Sequence, residues 1–292
     1  MKLVFLGTPA AAVPPLEALV AAGHDVRLVV TQPDRKRGRG GALVPSPVKT
    51  AADRLGLPVT ERVDDVLDTD AELGVVVAFG KLVKAHVLDR LPMVNLHFSL
   101  LPRWRGAAPV ERAILAGDTE TGVCLMALDV GLDTGPVDAC EKVAIAPGEP
   151  AADLRDRLVG IGTRLLVERL ATGLGPPVPQ HGETTYAAKL EPTELELDFT
   201  RPAEEVNRVV RLGRAWTTFR GRRLQVLSAR PVTLDGEAGA GAGPGTLDGL
   251  VVTCAPGTGL ELATVKPEGR PAVAAAAWRN GARPAPGERL GG

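Results

Sequence analysis

Residues 73–79 read Leu73-Gly74-Val75-Val76-Val77-Ala78-Phe79. An unbroken apolar run rich in valine predicts a strand covered on both faces, as in the middle of a parallel sheet. Upstream, residues 3–6 predict a short buried strand closed by Gly7-Thr8-Pro9. Residues 14–22 follow as a helix, with prolines at its start where a missing N–H is tolerated and Gly23 as its stop. Residues 26–30 predict a strand, 48–55 a helix and 57–59 a short strand. Downstream come a helix at 82–91, a strand at 94–98 and a helix at 109–116. Strands at 122–128 and 136–143 precede a long helix at 151–170. This β-α-β-α order predicts an α/β fold, a doubly wound, mostly parallel Rossmann-like sheet.

The character changes after residue 171. Residues 173–179 (GLGPPVP) form a stiff Pro/Gly connector. One helix at 203–212 then precedes short β-like runs at 215–219, 223–227, 250–253 and 260–265, a pattern that suits a second, smaller β-barrel domain of OB-like type. Residues 236–245 (GEAGAGAGPG) predict a loop. The expected organisation is a catalytic domain at 1–175, a linker at 176–195 and a barrel at 196–292.

Composition narrows the function classes. With 45% hydrophobic and 24% charged residues, disorder over most of the chain is excluded. Only 3% are aromatic, so aliphatic side chains must build the core. No apolar run reaches about 18 residues, so no spanning helix is expected, nor a membrane partner. Cys124, Cys140 and Cys254 are scattered without a CxxC pair. That arrangement argues against a disulfide framework and structural zinc and suits a cytoplasmic protein. His24, His86 and His181 lack metal-ligand spacing, and no metal is expected.

The overall charge is nearly balanced, with 34 basic and 35 acidic residues, which excludes a uniformly basic protein. Two segments are nonetheless basic. Residues 31–49 hold Arg35, Lys36, Arg37, Arg39 and Lys49 against Asp34 alone and predict a long irregular loop. Residues 201–230 hold eight arginines, Arg222 and Arg223 among them, against Glu204 and Glu205. Clustered cations of this kind suit the phosphates of a nucleic acid. Taken alone they also suit solvated surface. Trp216 and Phe219 are expected in the barrel core.

The chemistry concentrates in residues 95–109. In an extended strand Asn95 and His97 share a face, because side chains alternate. An amide and an imidazole would then stand together at the C-terminal end of a strand, where open α/β sheets hold ligands. The amide can stabilise a carbonyl oxygen that gains charge, and the imidazole can take a proton from an attacking amine. An isolated N-x-H pair more often merely satisfies a strand end. Residues 128–136 supply a glycine-rich turn with two acids, Asp129 and Asp133, one of which could orient His97. The alternative is an ordinary Asp/Gly turn.

Together, the Asn95-Leu96-His97 pair, the following Ser99-Leu100-Leu101-Pro102 and the Asp133-Thr134-Gly135 acid resemble the folate-dependent formyltransferase superfamily. The branch acting on initiator Met-tRNA is the closer likeness. It is carried by Thr31-Gln32-Pro33-Asp34-Arg35, Gly38-Arg39-Gly40, Pro45-Ser46-Pro47-Val48-Lys49, residues 99–109, residues 129–135, Thr185-Tyr186-Ala187 and Lys189-Leu190. The resemblance implies that Asn95, His97 and Asp133 are the catalytic trio and that Ser99, Leu100, Leu101 and Pro102 contact folate. It also implies that the loop bearing Arg39 meets the acceptor stem, with Arg35, Lys36, Arg37, Lys49, Arg222 and Arg223 on the tRNA track. The donor implied is 10-formyltetrahydrofolate, the acceptor the α-amino group of methionine on initiator Met-tRNA, and the working form a monomer. Lys36-Arg37 replace a commoner Pro-Ala, and Phe98 stands where many members have glycine. A formyltransferase acting on a small amine would share the trio without needing the basic segments. A non-catalytic tRNA-binding protein would need the basic segments without the trio.

Overall fold

The strand predicted at residues 73–79 forms over Leu73–Val77 and stops there because Ala78 enters the left-handed region, at φ 46°. The structure, a computed structural model, describes residues 1–37 (by backbone alone at Arg37), 41–234, 242–255 and 257–291. Arg39 and most of the 236–245 loop lie outside the described residues.

The elements run β1 (Lys2–Gly7), α1 (Val13–Ala21), β2 (Asp25–Val30), β3 (Arg35–Arg37), β4 (Ala42–Val44), α2 (Pro47–Arg54) and β5 (Val59–Thr60). They continue as β6 (Leu73–Val77), α3 (Ala85–Leu88), β7 (Met93–His97), β8 (Arg105–Gly106), α4 (Pro109–Ala116), β9 (Glu120–Ala127), β10 (Val137–Ala144), α5 (Ala151–Thr172) and β11 (Tyr186–Ala187). Seven strands form one sheet in the order β10-β9-β7-β6-β1-β2-β5. From β7 to β5 all pairs are parallel, whereas β7–β9 and β9–β10 are antiparallel. The winding reverses at β1, which has β2 on one side and β6 on the other, and this is the sheet's switch point. Leu3, Val4, Phe5 and Leu6 of β1 are wholly buried, as a central strand requires. Gly7 ends β1 where a Cβ would come within 2.8 Å of both Ala12 and Phe5, so glycine lets the chain turn into α1.

The predicted elements form with small shifts of boundary, and three expectations are corrected. The helix expected at 82–91 is only Ala85–Leu88; Lys84 is extended, and Pro92 disfavours helix at the residue before it. The basic segment 31–49 is not an irregular loop throughout, because β3 and β4 pair as an antiparallel hairpin with Arg35 opposite Val44. Cys124 and Cys140 form a disulfide. They are 16 residues apart in sequence but directly opposite in the β9–β10 ladder, which sequence spacing does not reveal. Cys254 is a free buried thiol, and burial pushes its pKa up to about 12.

The chain divides into two compact units, the first Met1–Val110, Glu120–Ala144 and Arg155–Lys189, the second Glu111–Thr119, Ile145–Leu154 and Leu190–Gly292. The second carries α6 (Ala203–Val210), β12 (Trp216–Phe219), β13 (Arg222–Thr233), β14 (Leu247–Asp248), β15 (Val251–Thr253), β16 (Thr258–Pro267), β17 (Val273–Ala274) and α7 (Ala275–Ala282). Its antiparallel sheet runs β12-β13-β16-β15-β14, with β17 on β16. α6 buries Ala203, Val206, Asn207 and Val210, one face of a 3.6-residue period. α7 carries no periodic signal in the sequence, because its alanine-rich run lacks an apolar stripe; it buries Ala275 and Trp278, the latter edge-on to Phe219 with ring centroids 5.2 Å apart. Phe219 lies in the core as expected, whereas Trp216 is half-buried. Among the described residues no helix is long and apolar enough to cross a membrane.

Phe5→Ala should destabilise the protein by about 3–5 kcal/mol through the cavity left in β1. Leu43→Ala, at a side chain 66% exposed, should change stability by no more than about 0.5 kcal/mol. Urea midpoints followed by circular dichroism check both.

Candidate active site

Strand alternation brings Asn95 and His97 to one face at the end of β7, where they are 8% and 5% exposed. Their antiparallel neighbours on β9 are Met126 and Cys124. His97 Nε2 lies 2.8 Å from the Trp104 carbonyl oxygen. A carbonyl only accepts, so Nε2 carries a proton and donates it. The other ring nitrogen, Nδ1, faces Asp133 Oδ2 at 3.6 Å, longer than a direct hydrogen bond. The ring is thus oriented so that a proton arriving at Nδ1 meets a carboxylate.

Two turns set this geometry. In the first, Ser99 Oγ donates to the Arg103 carbonyl at 2.6 Å, the Leu101–Pro102 peptide is cis, and Trp104 has φ 63°. Trp104 N donates to Thr185 Oγ1 at 2.9 Å, Arg105 N donates to the Thr185 carbonyl, and β8 pairs in parallel with β11. Gly106 has φ 119°, and a Cβ there would sit 2.9 Å from the Ala187 carbonyl oxygen, so only glycine fits. In the second turn Asp133 takes φ 51°, and its Oδ2 accepts the Gly106 N–H at 2.8 Å. Asp129 has a different task. Its Oδ1 accepts from Gly131 N at 3.0 Å and Thr134 Oγ1 at 2.6 Å, closing the turn. Of the two acids the sequence offered, the structure brings Asp133 to the imidazole.

Asn95, His97 and Asp133 open onto one cavity of about 480 Å³ in the first unit. Its walls are mainly apolar, with Phe79, Leu82, Val83 and Leu132, and Lys189 adds a cation. Among the described residues the Asn95 amide makes no hydrogen bond, which leaves its N–H₂ for a ligand. Phe98 lines the cavity. Ser99, Leu100, Leu101 and Pro102 do not; Ser99 is wholly buried in its own turn, and Leu100 packs beside Gly122. These four build the loop that carries Trp104 and Gly106. Sequence reasoning missed the Trp104 carbonyl and the Gly106 N–H, because backbone groups leave no residue signature.

The basic segments separate by role. Lys49 Nζ is bound to both oxygens of Asp34, at 2.9 and 3.0 Å, and its pKa is held above the usual value by that bond. Thr31 bonds the Ser46 hydroxyl, Ser46 caps α2, and Gln32 donates to the Phe79 carbonyl. Arg35 and Lys36 are exposed on the hairpin. In the second unit Arg222 and Arg223 are exposed, and the Arg223 guanidinium lies 4.4 Å from the Trp216 ring centroid. His86 pairs with Asp64. Among the described residues no group of three or more His, Cys, Asp or Glu is placed to hold a metal.

Residues 1–170 match the formyl transferase family, and residues 189–283 match its C-terminal domain. A methionyl-tRNA formyltransferase from Jannaschia sp. (strain CCS1) is 44% identical over 308 residues, covering 99% of this chain and 100% of that protein. Another, from Dinoroseobacter shibae, is 46% identical over 293 residues, covering 94% of this chain and 96% of the relative. The chain belongs to the methionyl-tRNA formyltransferase family. The likeness carried by the Asn95-x-His97 and Asp133-x-Gly135 motifs is borne out at the level of the family. Solved structures share the fold. An N-formyltransferase from Helicobacter canadensis, solved with folinic acid and dTDP-3-aminofucose, has a TM-score of 0.70 at 17% identity, covering 90% of this chain and 98% of that one. A methionyl-tRNA formyltransferase from Clostridium thermocellum has a TM-score of 0.58 at 16% identity, covering 79% of this chain and 93% of that one.

The two turn acids of this formyltransferase are expected to separate by mutation. Asp133→Asn removes the charge facing His97 and should nearly abolish formyl transfer in a folded protein. Asp129→Asn should stay near wild type, because asparagine accepts the same two turn bonds. Turnover and thermal melts of both variants make the comparison.

Proposed function

We propose that this chain transfers a formyl group from 10-formyltetrahydrofolate to the α-amino group of methionine on initiator Met-tRNA, in the cytoplasm and as a monomer. Family membership over nearly the whole chain supports the reaction class and acceptor. The observation that carries the chemistry is the cavity, where an unengaged amide (Asn95) stands beside an imidazole (His97) whose free nitrogen faces a carboxylate.

The residues present fit a folate. A volume of about 480 Å³ suits a small-molecule site, and its apolar walls suit a flat aromatic ring system. The donor supplies an activated formyl group attached to nitrogen. Asn95 donates from its amide to the formyl oxygen and steadies the negative charge that builds there. His97 accepts the amine proton at Nδ1, while Nε2 stays bonded to the Trp104 carbonyl. Asp133 stabilises the imidazolium so formed, and the proton leaves Nδ1 for the departing nitrogen. The new C–N bond to methionine replaces the old one, and the amine's lost proton ends on the leaving group. No covalent bond to the enzyme is needed, because the amine is itself the nucleophile.

The exposed cations Arg35, Lys36, Arg222 and Arg223 suit contacts to tRNA phosphates, and the family likeness adds Arg37 and Arg39 to that set. Lys49 belongs to an internal ion pair and stands outside that set. The fold does not discriminate the acceptor, since it is shared with the Helicobacter protein solved with an amino sugar. The identity of 44–46% to methionyl-tRNA formyltransferases favours the tRNA.

Asn95→Ala should lower kcat by about 10²–10³, the usual cost of one lost oxyanion donor, with tRNA affinity nearly unchanged. Near-normal turnover would remove Asn95 from the mechanism.

Met-tRNA binding should weaken steeply with salt. Replacing Arg222 and Arg223 together by alanine should make the slope of log K against log salt shallower by about one to two units, raising KM for tRNA alone. Equal slopes would exclude these arginines. Formyl transfer to initiator Met-tRNA measured beside a panel of amino sugars and ribonucleotide amines tests the function itself. Preference for a small amine would defeat it.

A further inference from the structure

We propose that Gln180 is a positioning residue for the active-site carboxylate, acting through Asp133 and not through substrate. The inference rests on the reading of Asp133 given above. Gln180 sits in the Pro- and Gly-rich stretch that the sequence presents as a mere connector, just after Pro176, Pro177 and Pro179. Its side-chain amide is fully used. Nε2 donates to the Asp133 carbonyl at 2.8 Å and to the Gly135 carbonyl at 2.7 Å. Oε1 accepts from Arg105 Nε at 3.1 Å and Nη2 at 2.7 Å. The amide has only one sensible orientation: its N–H₂ faces two groups that only accept, and its oxygen faces a guanidinium that only donates.

What this amide grips is the part of the site least able to hold itself. Asp133 is a non-glycine residue at φ 51°, a conformation that persists only when neighbours impose it. The side chain of Asp133 is fixed at one end by the Gly106 N–H, and its backbone is fixed at the other by Gln180. Arg105, the residue before Gly106, is held by the same amide. One neutral side chain therefore ties the turn that carries the acid to the strand that supplies the acid's hydrogen-bond donor. The connector is itself anchored next to that turn. Val178 and Val137 exchange backbone bonds of 2.8 Å each way, and Gly175 N donates to Asp138 Oδ1 at 2.6 Å. The amide of Gln180 thus starts from a fixed backbone, as a positioning group needs.

Two substitutions test the assignment. Gln180→Ala removes both ends of the clamp. Gln180→Glu keeps the length and strengthens the contact to Arg105, but sets a carboxylate oxygen against the carbonyls of Asp133 and Gly135. Both should lower kcat by roughly 10- to 100-fold, the scale of a misplacement of about an ångström, while KM for folate and for tRNA stays within about threefold. On an Asp133→Asn background, Gln180→Ala should cost almost nothing more, because the group it positions has already lost its charge. Asp133→Asn and both Gln180 variants are assayed side by side. An inactive Asp133→Asn with a fully active Gln180→Ala would overturn the role of Gln180 and leave the site intact. A fully active Asp133→Asn would defeat the site reading and this proposal with it. An active Gln180→Glu beside an impaired Gln180→Ala would mean that Gln180 serves Arg105 instead. A raised KM with unchanged kcat would make Gln180 a binding residue and refute positioning. Should Gln180→Ala prove unfolded by circular dichroism, Gln180→Glu decides alone.

Discussion

The His97 ring is gripped from both sides, by the Trp104 carbonyl at Nε2 and by the Asp133 carboxylate opposite Nδ1. The first contact fixes which nitrogen is free, and the second decides what a proton there will meet. Neither group is near His97 by virtue of the strand that carries the imidazole. Trp104 reaches it through a tight turn with a cis peptide, and Asp133 through a glycine-rich turn between β9 and β10. Both turns use left-handed residues, at Trp104 and at Asp133, and both are tied by hydrogen bonds to the stretch 178–187. A stretch with almost no regular structure therefore braces the most ordered chemistry in the molecule.

The sheet contributes placement more than chemistry. Its switch point at β1 opens a crevice beyond the strand ends, and Ala78 and Phe79 leave β6 to wall it. The β9–β10 turn leaves the sheet beside the start of β7, where Leu128 N donates to the Met93 carbonyl, and its path then sets Asp133 against His97. A purely parallel sheet would carry the chain away on a helix at that point. The reversal is also what sets Cys124 and Cys140 opposite one another.

Charge follows the same division between framework and function. Lys49, Arg112 and Arg169 close ion pairs with Asp34, Glu194 and Asp138. Of the described basic residues that sequence counting grouped together, Arg35, Lys36, Arg214, Arg222 and Arg223 are exposed, and Arg201, Arg220 and Arg230, exposed as well, are paired with Glu205, Glu288 and Glu261. Counting gives the total charge of a segment, but burial and partners decide which charges a nucleic acid can meet.

The sequence by itself determined the order along the chain of the strands in the main sheet and of most helices beside them, because hydrophobic period and Gly/Pro punctuation are local properties of residues 3–30, 73–79 and 151–170. It also determined that Asn95 and His97 share a face, since alternation along a strand needs no tertiary information. Residue chemistry alone left Asp129 and Asp133 equivalent, and only the family likeness named Asp133; the tertiary structure shows why, because both lie in one turn and the path of that turn sets Asp133 against His97. Tertiary structure alone decided that Ser99–Pro102 shape the loop without lining the cavity, that Cys124 meets Cys140, and that Lys49 is spoken for by Asp34. Each of these depends on contacts between segments distant in sequence, or on a backbone carbonyl or N–H. A backbone group has the same chemistry at every residue and becomes distinctive only where the fold aims it.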